Sequence, residues 1–324
     1  MILALRALGV GDLATAVPAL RALRAAHPDR DLALAAPAWL APLVDLVGGV
    51  DRLVPAAGLT PLDRPDPPPD LAVNLHGRGP QSHRLLAATR PRRLLAFASP
   101  DAGHVDGPDW RPDEHEVDRW CRLLAWYGIP ADRADLALRR PPAGPLPAGV
   151  SIVHPGSKIP AKRWPPGRFA AVARALSGRG HRVVVTGSAD ERALAGRVAR
   201  RAGLAPDAVL AGRTDLGGLA ALVAHARLVV SGDTGVAHLA TGYGTPSVVL
   251  FGPVPPSRWG PPPERPWHRA LWAGTPRGGG PAGDWSPSGG VGTDSTLAAI
   301  GVGEVLAAVA EAEQAVRVAG AVTA

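Results

Sequence analysis

Leu228-Val-Val-Ser-Gly-Asp-Thr-Gly-Val-Ala-His-Leu-Ala-Thr-Gly-Tyr-Gly-Thr-Pro-Ser-Val-Val-Leu-Phe-Gly-Pro253 is the stretch on which the reading of the fold turns. It reads as a buried strand (Leu228 to Val230), a tight glycine-bearing turn (Ser231 to Gly235), a short helix and a second buried strand (Ser247 to Phe251). The first backbone N–H groups of such a helix have no internal partner and carry the positive end of its dipole. A phosphate docked there gains hydrogen bonds and charge compensation together. Gly232 and Gly235 let the backbone approach a ligand closely, and Asp233 can cap the helix, bind a ligand hydroxyl, or do both. His238, about one helical turn beyond Gly235, is expected on the same side as the turn. The Gly-x-Gly-x-x-Gly spacing is missing, so this is not a dehydrogenase fingerprint.

Outward from this unit the same alternation recurs. Upstream lie a strand at Val150 to Val153, a helix at Phe169 to Leu176, a strand at Arg182 to Thr186, a helix at Asp190 to Ala202, a short strand near Val209 and a helix at Leu216 to His225. Downstream, Ala273 to Ser295 is rich in Gly, Pro and Ser and reads as a loop, and Val302 to Val318 reads as a final helix. The first half runs in parallel fashion: strands at Ile2 to Leu5, Asp31 to Ala35, Leu71 to Leu75 and Arg93 to Phe97, with helical patterns at Leu13 to Ala26, Leu40 to Val47, Pro80 to Ala88 and Asp113 to Tyr127. Pro18 predicts a kink in the first helix or a late start of its regular part. Strands and helices at this spacing imply parallel sheets covered on both faces.

Arg140-Pro-Pro-Ala-Gly-Pro-Leu-Pro-Ala-Gly149 breaks the alternation and reads as a linker. The expected organisation is therefore two Rossmann-like parallel-sheet α/β domains, 1–145 and 150–324, facing across a cleft, with the final helix available to pack back on the first domain. The glycine-rich turns at 8–12 and 231–235 both follow strands and are expected to face that cleft.

Composition narrows the function. A chain of 324 residues with a net charge of +7 suits an anionic small molecule, an acidic acceptor or an anionic membrane surface. Its arginines are dispersed and no zinc-finger, RNP or basic-helix pattern occurs, which argues against nucleic acid. Of the 35 Lys and Arg residues only Lys158 and Lys162 are lysines, a bias of a GC-rich genome that makes their shared segment conspicuous. A single cysteine, Cys121, excludes an internal disulfide and a cysteine-rich metal site. No apolar run has the ~18 residues of a membrane span, and Met1 to Arg6 lacks the features of a signal peptide. A cytoplasmic protein is expected, with the inner face of the membrane as a further place for it.

Three blocks of this sequence resemble glycosyltransferase family 9, the family of bacterial ADP-heptose:lipopolysaccharide heptosyltransferases. The first is Ile2-Leu-Ala-Leu-Arg-Ala-Leu-Gly-Val-Gly-Asp-Leu-Ala-Thr-Ala-Val-Pro-Ala-Leu-Arg-Ala-Leu-Arg24, with a strand, a Gly-Asp turn and a Pro-Ala-Leu helix. The second is His154-Pro-Gly-Ser-Lys-Ile-Pro-Ala-Lys-Arg-Trp-Pro165, and the third is Asp-Thr-Gly-x-x-His with its downstream Phe-Gly-Pro. Weaker similarity runs through Asp70 to Phe97 and the terminal helix, so the resemblance spans nearly the whole chain in order. It implies a GT-B fold and an inverting, metal-independent transfer, with a nucleotide sugar as substrate and no cofactor.

Inverting transfer needs a base for the acceptor hydroxyl and positive groups for the departing diphosphate. By resemblance Asp12 is that base; on local pattern alone it stands where an N-cap belongs. Lys162 is the candidate clamp on the diphosphate, with Lys158 and Arg163 as weaker candidates. Gly156, Ser157, Glu191, Asp233, Thr234, Gly235 and His238 complete the expected donor site. Glu191 matches a family position for the nucleoside, and by pattern alone it is an ordinary glutamate in the first turn of a helix. Arg6, His76 and Arg78 follow strands and are the candidate acceptor contacts. His104, His115 and His181 lack metal-site spacing and read as structural or solvated. Trp164 is expected to brace the phosphate turn, and Trp259 and Trp285 to line a sugar site. Cysteines common near the family's carboxyl terminus are absent here, replaced by the loop from Ala273.

The expected function is transfer of a heptose from ADP-heptose to a hydroxyl of a glycan or secondary-metabolite acceptor. The alternatives are a GT-B epimerase, a transferase using UDP or GDP sugars, a nucleotide-sugar binding protein without turnover, and, in a third class, a nucleic-acid binder with strongly salt-dependent affinity.

Overall fold

The computed structural model describes residues 1–274 and 294–322 and divides into two α/β units, 1–139 and 140–324. In the first unit β1 (Ile2–Leu5), β2 (Leu32–Ala36), β3 (Arg52–Pro55), β4 (Leu71–Asn74) and β5 (Arg93–Leu95) form a parallel sheet of order β3-β2-β1-β4-β5. Its helices are α1 (Val10–Thr15), α2 (Val17–Ala26), α3 (Ala41–Val47), α4 (Gln81–Ala87) and α5 (Glu116–Trp126). The second unit has β6 (Ser151–His154), β7 (Val183–Val185), β8 (Leu228–Gly232), β9 (Ser247–Phe251) and β10 (His268–Trp272), in the order β10-β9-β8-β6-β7 and again all parallel. Its helices are α6 (Pro166–Gly178), α7 (Arg192–Ala202), α8 (Leu216–Ala224), α9 (Gly235–Tyr243), α10 (Pro256–Trp259), α11 (Ser295–Ala299) and α12 (Val302–Val322).

Strands buried on both faces are rich in apolar side chains, and β1, β2, β6, β8 and β9 are buried along their whole length. In the second unit Val153, Val185, Val230 and Val248 pack against Val172, Leu176, Val198 and, from the last two helices, Leu297, Val305 and Val309. The terminal helix α12 packs on α6, β9 and β10 of its own unit. The Pro-rich segment is tied to that unit too, through Arg140 on the carbonyls of Ala224 and Tyr243 and His225 Nε2 on that of Pro141 at 2.8 Å.

Several elements depart from the sequence reading, among them the short strand expected near Val209, where the chain makes only an isolated bridge to Val185. β3 and β10 are edge strands carrying half-exposed and polar residues, so neither shows the apolar run that betrays a central strand. The first helix begins at Val10 and not at Leu13, and it breaks at Ala16 before α2, in which Pro18 occupies the tolerated first turn. No helix among the described residues is long and apolar enough to cross a membrane. Trp285 and most of the loop from Ala273 lie outside the described residues.

Candidate active site

In an open parallel sheet, ligands bind beyond the carboxyl ends of the strands where the strand order reverses. In the second unit that point lies between β6 and β8: β6 pairs with β7 on one side and with β8 on the other. The loops leaving these two strands are 155–162 and 233–234, the second and third blocks of the sequence reading.

They meet through one ion pair. Lys162 Nζ lies 2.7 Å from Asp233 Oδ2, with the side chains 17% and 7% exposed, and His238 Nε2 lies 3.9 Å from Asp233 Oδ1. Asp233 therefore does not cap α9, as one sequence reading had it; it bridges a lysine and a histidine. The N-cap is Thr234, whose backbone is extended and whose side chain makes no capping bond. Thr234 Oγ1 is buried without a hydrogen-bond partner among the described residues, as is Ser231 Oγ at the end of β8. The amino terminus of α9 and the Thr234 hydroxyl thus adjoin Asp233, which holds the Lys162 ammonium. Gly232 makes the close approach: a Cβ there would stand 3.2 Å from the Lys162 carbonyl.

The β6 loop is held as tightly. Ser157 Oγ accepts the Ile159 N–H at 3.2 Å, and Arg163 Nε donates to the Ser157 carbonyl at 2.8 Å. Trp164 braces the segment, its indole donating to Ile300 O at 3.1 Å while its ring meets Phe169 edge-on. Asp294 N donates to Ala161 O at 3.1 Å. At Gly156 a Cβ would fall 2.3 Å from the Glu191 carboxylate. Glu191 precedes α7 and accepts the Ser188 N–H at 2.8 Å, so it closes its own turn and also roofs Gly156. His154, ending β6, is buried with Nδ1 2.9 Å from Thr186 Oγ1; burial pushes its imidazole below the ordinary value, against the pull of Glu191. Trp259 meets the His238 ring at 5.8 Å between centroids.

In the first unit the reversal lies between β1 and β4, and Asp12, Arg6 and His76 gather there. Asp12 is not an N-cap. It sits in the first turn of α1, and its Oδ2 accepts the Gly9 N–H at 3.0 Å. Arg6 is placed otherwise than expected for an acceptor contact. Its side chain is 0% exposed, with Nε on Asp12 O at 2.9 Å, Nη1 on Leu75 O, and Nη2 2.9 Å from Glu116 Oε1 and 3.5 Å from Asp12 Oδ1. The guanidinium also stacks on Trp120, 4.6 Å from its centroid. His76 sits in a turn shaped by Asn74, whose Oδ1 accepts the His76 N–H at 3.0 Å. Its Nδ1 is buried without a partner among the described residues, and burial, then Arg6, hold the imidazole below its ordinary value. Arg78, two residues on, is exposed. Cys121 is a half-buried packing residue of α5 whose thiol is pushed up to about 12, chiefly by burial.

Glu116, His154 and Thr186 were not singled out from the sequence as site residues. Glu116 had no local signal, since a glutamate at the start of an amphipathic helix is ordinary; His154 ends β6 and Thr186 follows its neighbour β7, a relation that only the sheet order reveals.

Two units, each a parallel α/β sheet with its candidate loops at the strand-order reversal, make a fold of the GT-B class. The glycosyltransferase family 9 (heptosyltransferase) model matches residues 111–271. The chain belongs to glycosyltransferase family 9. It is 34% identical over 128 residues to lipopolysaccharide heptosyltransferase 3 of Escherichia coli, covering 38% of this chain and 36% of that protein. It is 37% identical over 150 residues to lipopolysaccharide heptosyltransferase 1 of Pseudomonas aeruginosa, covering 44% and 41%. These matches thus span well under half of either relative's length. The solved structure of E. coli ADP-heptose lps heptosyltransferase II shares the fold with a TM-score of 0.76 over 97% of this chain and 98% of that one, at 22% identity.

Proposed function

We propose that the protein is an inverting glycosyltransferase that moves a heptose from ADP-heptose to a hydroxyl of a glycan or small-molecule acceptor. The observation that carries this reading is the Lys162–Asp233 pair beside the open amino terminus of α9 and the unpartnered Thr234 hydroxyl. An ammonium, a hydroxyl and the backbone N–H groups of a helix amino terminus are donors suited to a diphosphate.

In this reading the diphosphate takes hydrogen bonds from Thr234, the N–H groups that open α9, Ser157 and Lys162, while Glu191 and His238 contact the nucleoside or phosphate. As the glycosidic bond to the diphosphate breaks, Lys162 offsets the charge gathering on the leaving oxygen, and no metal ion is required. Asp12 accepts the proton of the acceptor hydroxyl as its oxygen bonds to the anomeric carbon from the opposite face, which inverts the configuration. His76 and Arg78 contact the acceptor. We place the enzyme in the cytoplasm, at the inner face of the membrane when its acceptor is a lipid-linked glycan.

The test is release of ADP from ADP-heptose across a panel of glycan acceptors, with the linkage of the product read by NMR. Turnover with inversion supports the proposal. Binding of ADP-heptose without turnover on any acceptor would leave a sugar-nucleotide binding protein instead, and preference for UDP or GDP in thermal-shift titrations would change the donor.

A further inference from the structure

The buried carboxylate of Glu116 has no part in the chemistry above, yet it lies one guanidinium away from Asp12. It opens α5 and is 5% exposed, and it is surrounded by donors: Arg6 Nη2 at 2.9 Å and Trp120 Nε1 at 3.1 Å on Oε1, and Arg119 Nη1 on Oε2. Burial alone would push this carboxyl up, but Arg6 and Arg119 together hold it below the ordinary carboxylate range, so it is an anion. Arg6 therefore has two carboxylates within reach and divides unequally between them. Its Nη2 is 2.9 Å from Glu116 and 3.5 Å from Asp12 Oδ1, while its Nε holds the backbone carbonyl of Asp12 at 2.9 Å.

We propose that Glu116 is a positioning residue for the base: it draws the Arg6 guanidinium towards itself, so that Arg6 fixes the Asp12 backbone and pairs only loosely, at 3.5 Å, with the side chain that takes the proton. The inference rests on the reading of Asp12 as base. A fully engaged Arg6–Asp12 pair would stabilise the carboxylate and make it a poorer proton acceptor. With Glu116 neutralising Arg6, the Asp12 carboxylate keeps one oxygen on the Gly9 N–H and leaves the other loosely held. Thr15 Oγ1, 3.3 Å from Arg6 Nη2, and the Leu75 carbonyl complete the guanidinium's shell, and the Trp120 ring closes one face. The charged or titratable groups around Asp12 are Arg6 after β1, His76 after β4, and Glu116 and Arg119 on α5 acting through Arg6.

Glu116→Gln keeps the shape and removes the charge. Arg6 then turns its full charge on Asp12, so the acidic limb of the kcat/KM profile moves to lower pH by at least about half a unit. In the same variant kcat falls by up to about threefold for each half unit of that shift, with the donor KM unchanged. A direct readout does not depend on transfer: the Asp12 carboxyl carbon, assigned by comparison with Asp12→Asn, titrates at lower pH in Glu116→Gln than in the parent when followed by carbon-13 NMR. If that titration moves but no acceptor is ever glycosylated, the positioning survives and the transferase reading fails. An Asp12 titration and kcat both unchanged in folded Glu116→Gln overturn the proposal. Should Glu116→Gln not fold, Glu116→Asp, which keeps the charge but withdraws it from Arg6, must show the same NMR shift in smaller measure; its absence there also overturns it.

Discussion

Lys162 and Asp233 are joined at 2.7 Å although 71 residues separate them, and the bond ties the loop after β6 to the loop after β8 at the reversal of the strand order. Removing Lys162 leaves the buried Asp233 carboxylate with a charge to solvate. Lys162→Ala is therefore expected to cost about 1–3 kcal/mol in urea unfolding and about 100-fold in transfer rate. The double variant with Asp233→Ala should be more stable than Lys162→Ala alone, since it no longer strands a carboxylate. Additive losses in that cycle would show that the two side chains are not coupled.

Asp12 is 28% exposed, and its carboxylate accepts one N–H of its own turn and pairs only loosely, at 3.5 Å, with Arg6, so its loss should spare the fold. Asp12→Asn should bind ADP as the parent does in calorimetry and lose about 10²–10⁴-fold in transfer. Full transfer by this variant would remove Asp12 from the reaction.

Thr234 carries a buried hydroxyl without a partner among the described residues, on an extended backbone that suits a β-branched residue. Thr234→Val should unfold at an unchanged or higher temperature without ligand, because an unsatisfied polar group is removed. The same variant should bind ADP more weakly by about 1.5 kcal/mol, the value of a hydrogen bond to a charged group. Weaker folding with unweakened ADP binding would show that the hydroxyl serves the fold and not the donor.

Gly156 faces the Glu191 carboxylate so closely that Gly156→Ala must push that side chain off the Ser188 N–H. The carboxylate is the far end of a flexible chain, so stability should fall by less than about 1 kcal/mol. Nucleotide affinity should fall with it and to the level of Glu191→Ala, which titration calorimetry can compare; an unchanged affinity in both would remove Glu191 from the donor site.

His268, starting β10, is buried against Ser247 Oγ at 2.9 Å, and burial lowers its imidazole to about 3. The unfolded chain takes up this proton near pH 6.5 and the folded one only near 3. Its contribution is therefore complete above pH 6.5 and is lost as pH falls towards 3, by about 1.4 kcal/mol per unit. Urea midpoints at pH 7.5 and 5 should diverge, and His268→Gln should reduce the divergence; an equal divergence in the variant would assign it elsewhere.

Local pattern was enough for the alternation of strands and helices, the membership of the central strands in buried parallel sheets, and the two glycine-bearing turns, because apolar runs are written in Ile2–Leu5, Leu228–Gly232 and Ser247–Phe251 and the Gly11-Asp12 and Gly232-Asp233 pairs mark the turns. Edge strands β3 and β10 escaped it, since a strand with one open side has no need of an apolar run. Tertiary structure alone decided the partners. Arg6 lies in the chain beside other residues that follow strands, yet its guanidinium is committed to Glu116, 110 residues away, and Asp233 holds Lys162 where a helix cap was equally open. Burial and charge pairing are settled between segments that the strand order brings together, and no local pattern encodes which anion a buried cation will find.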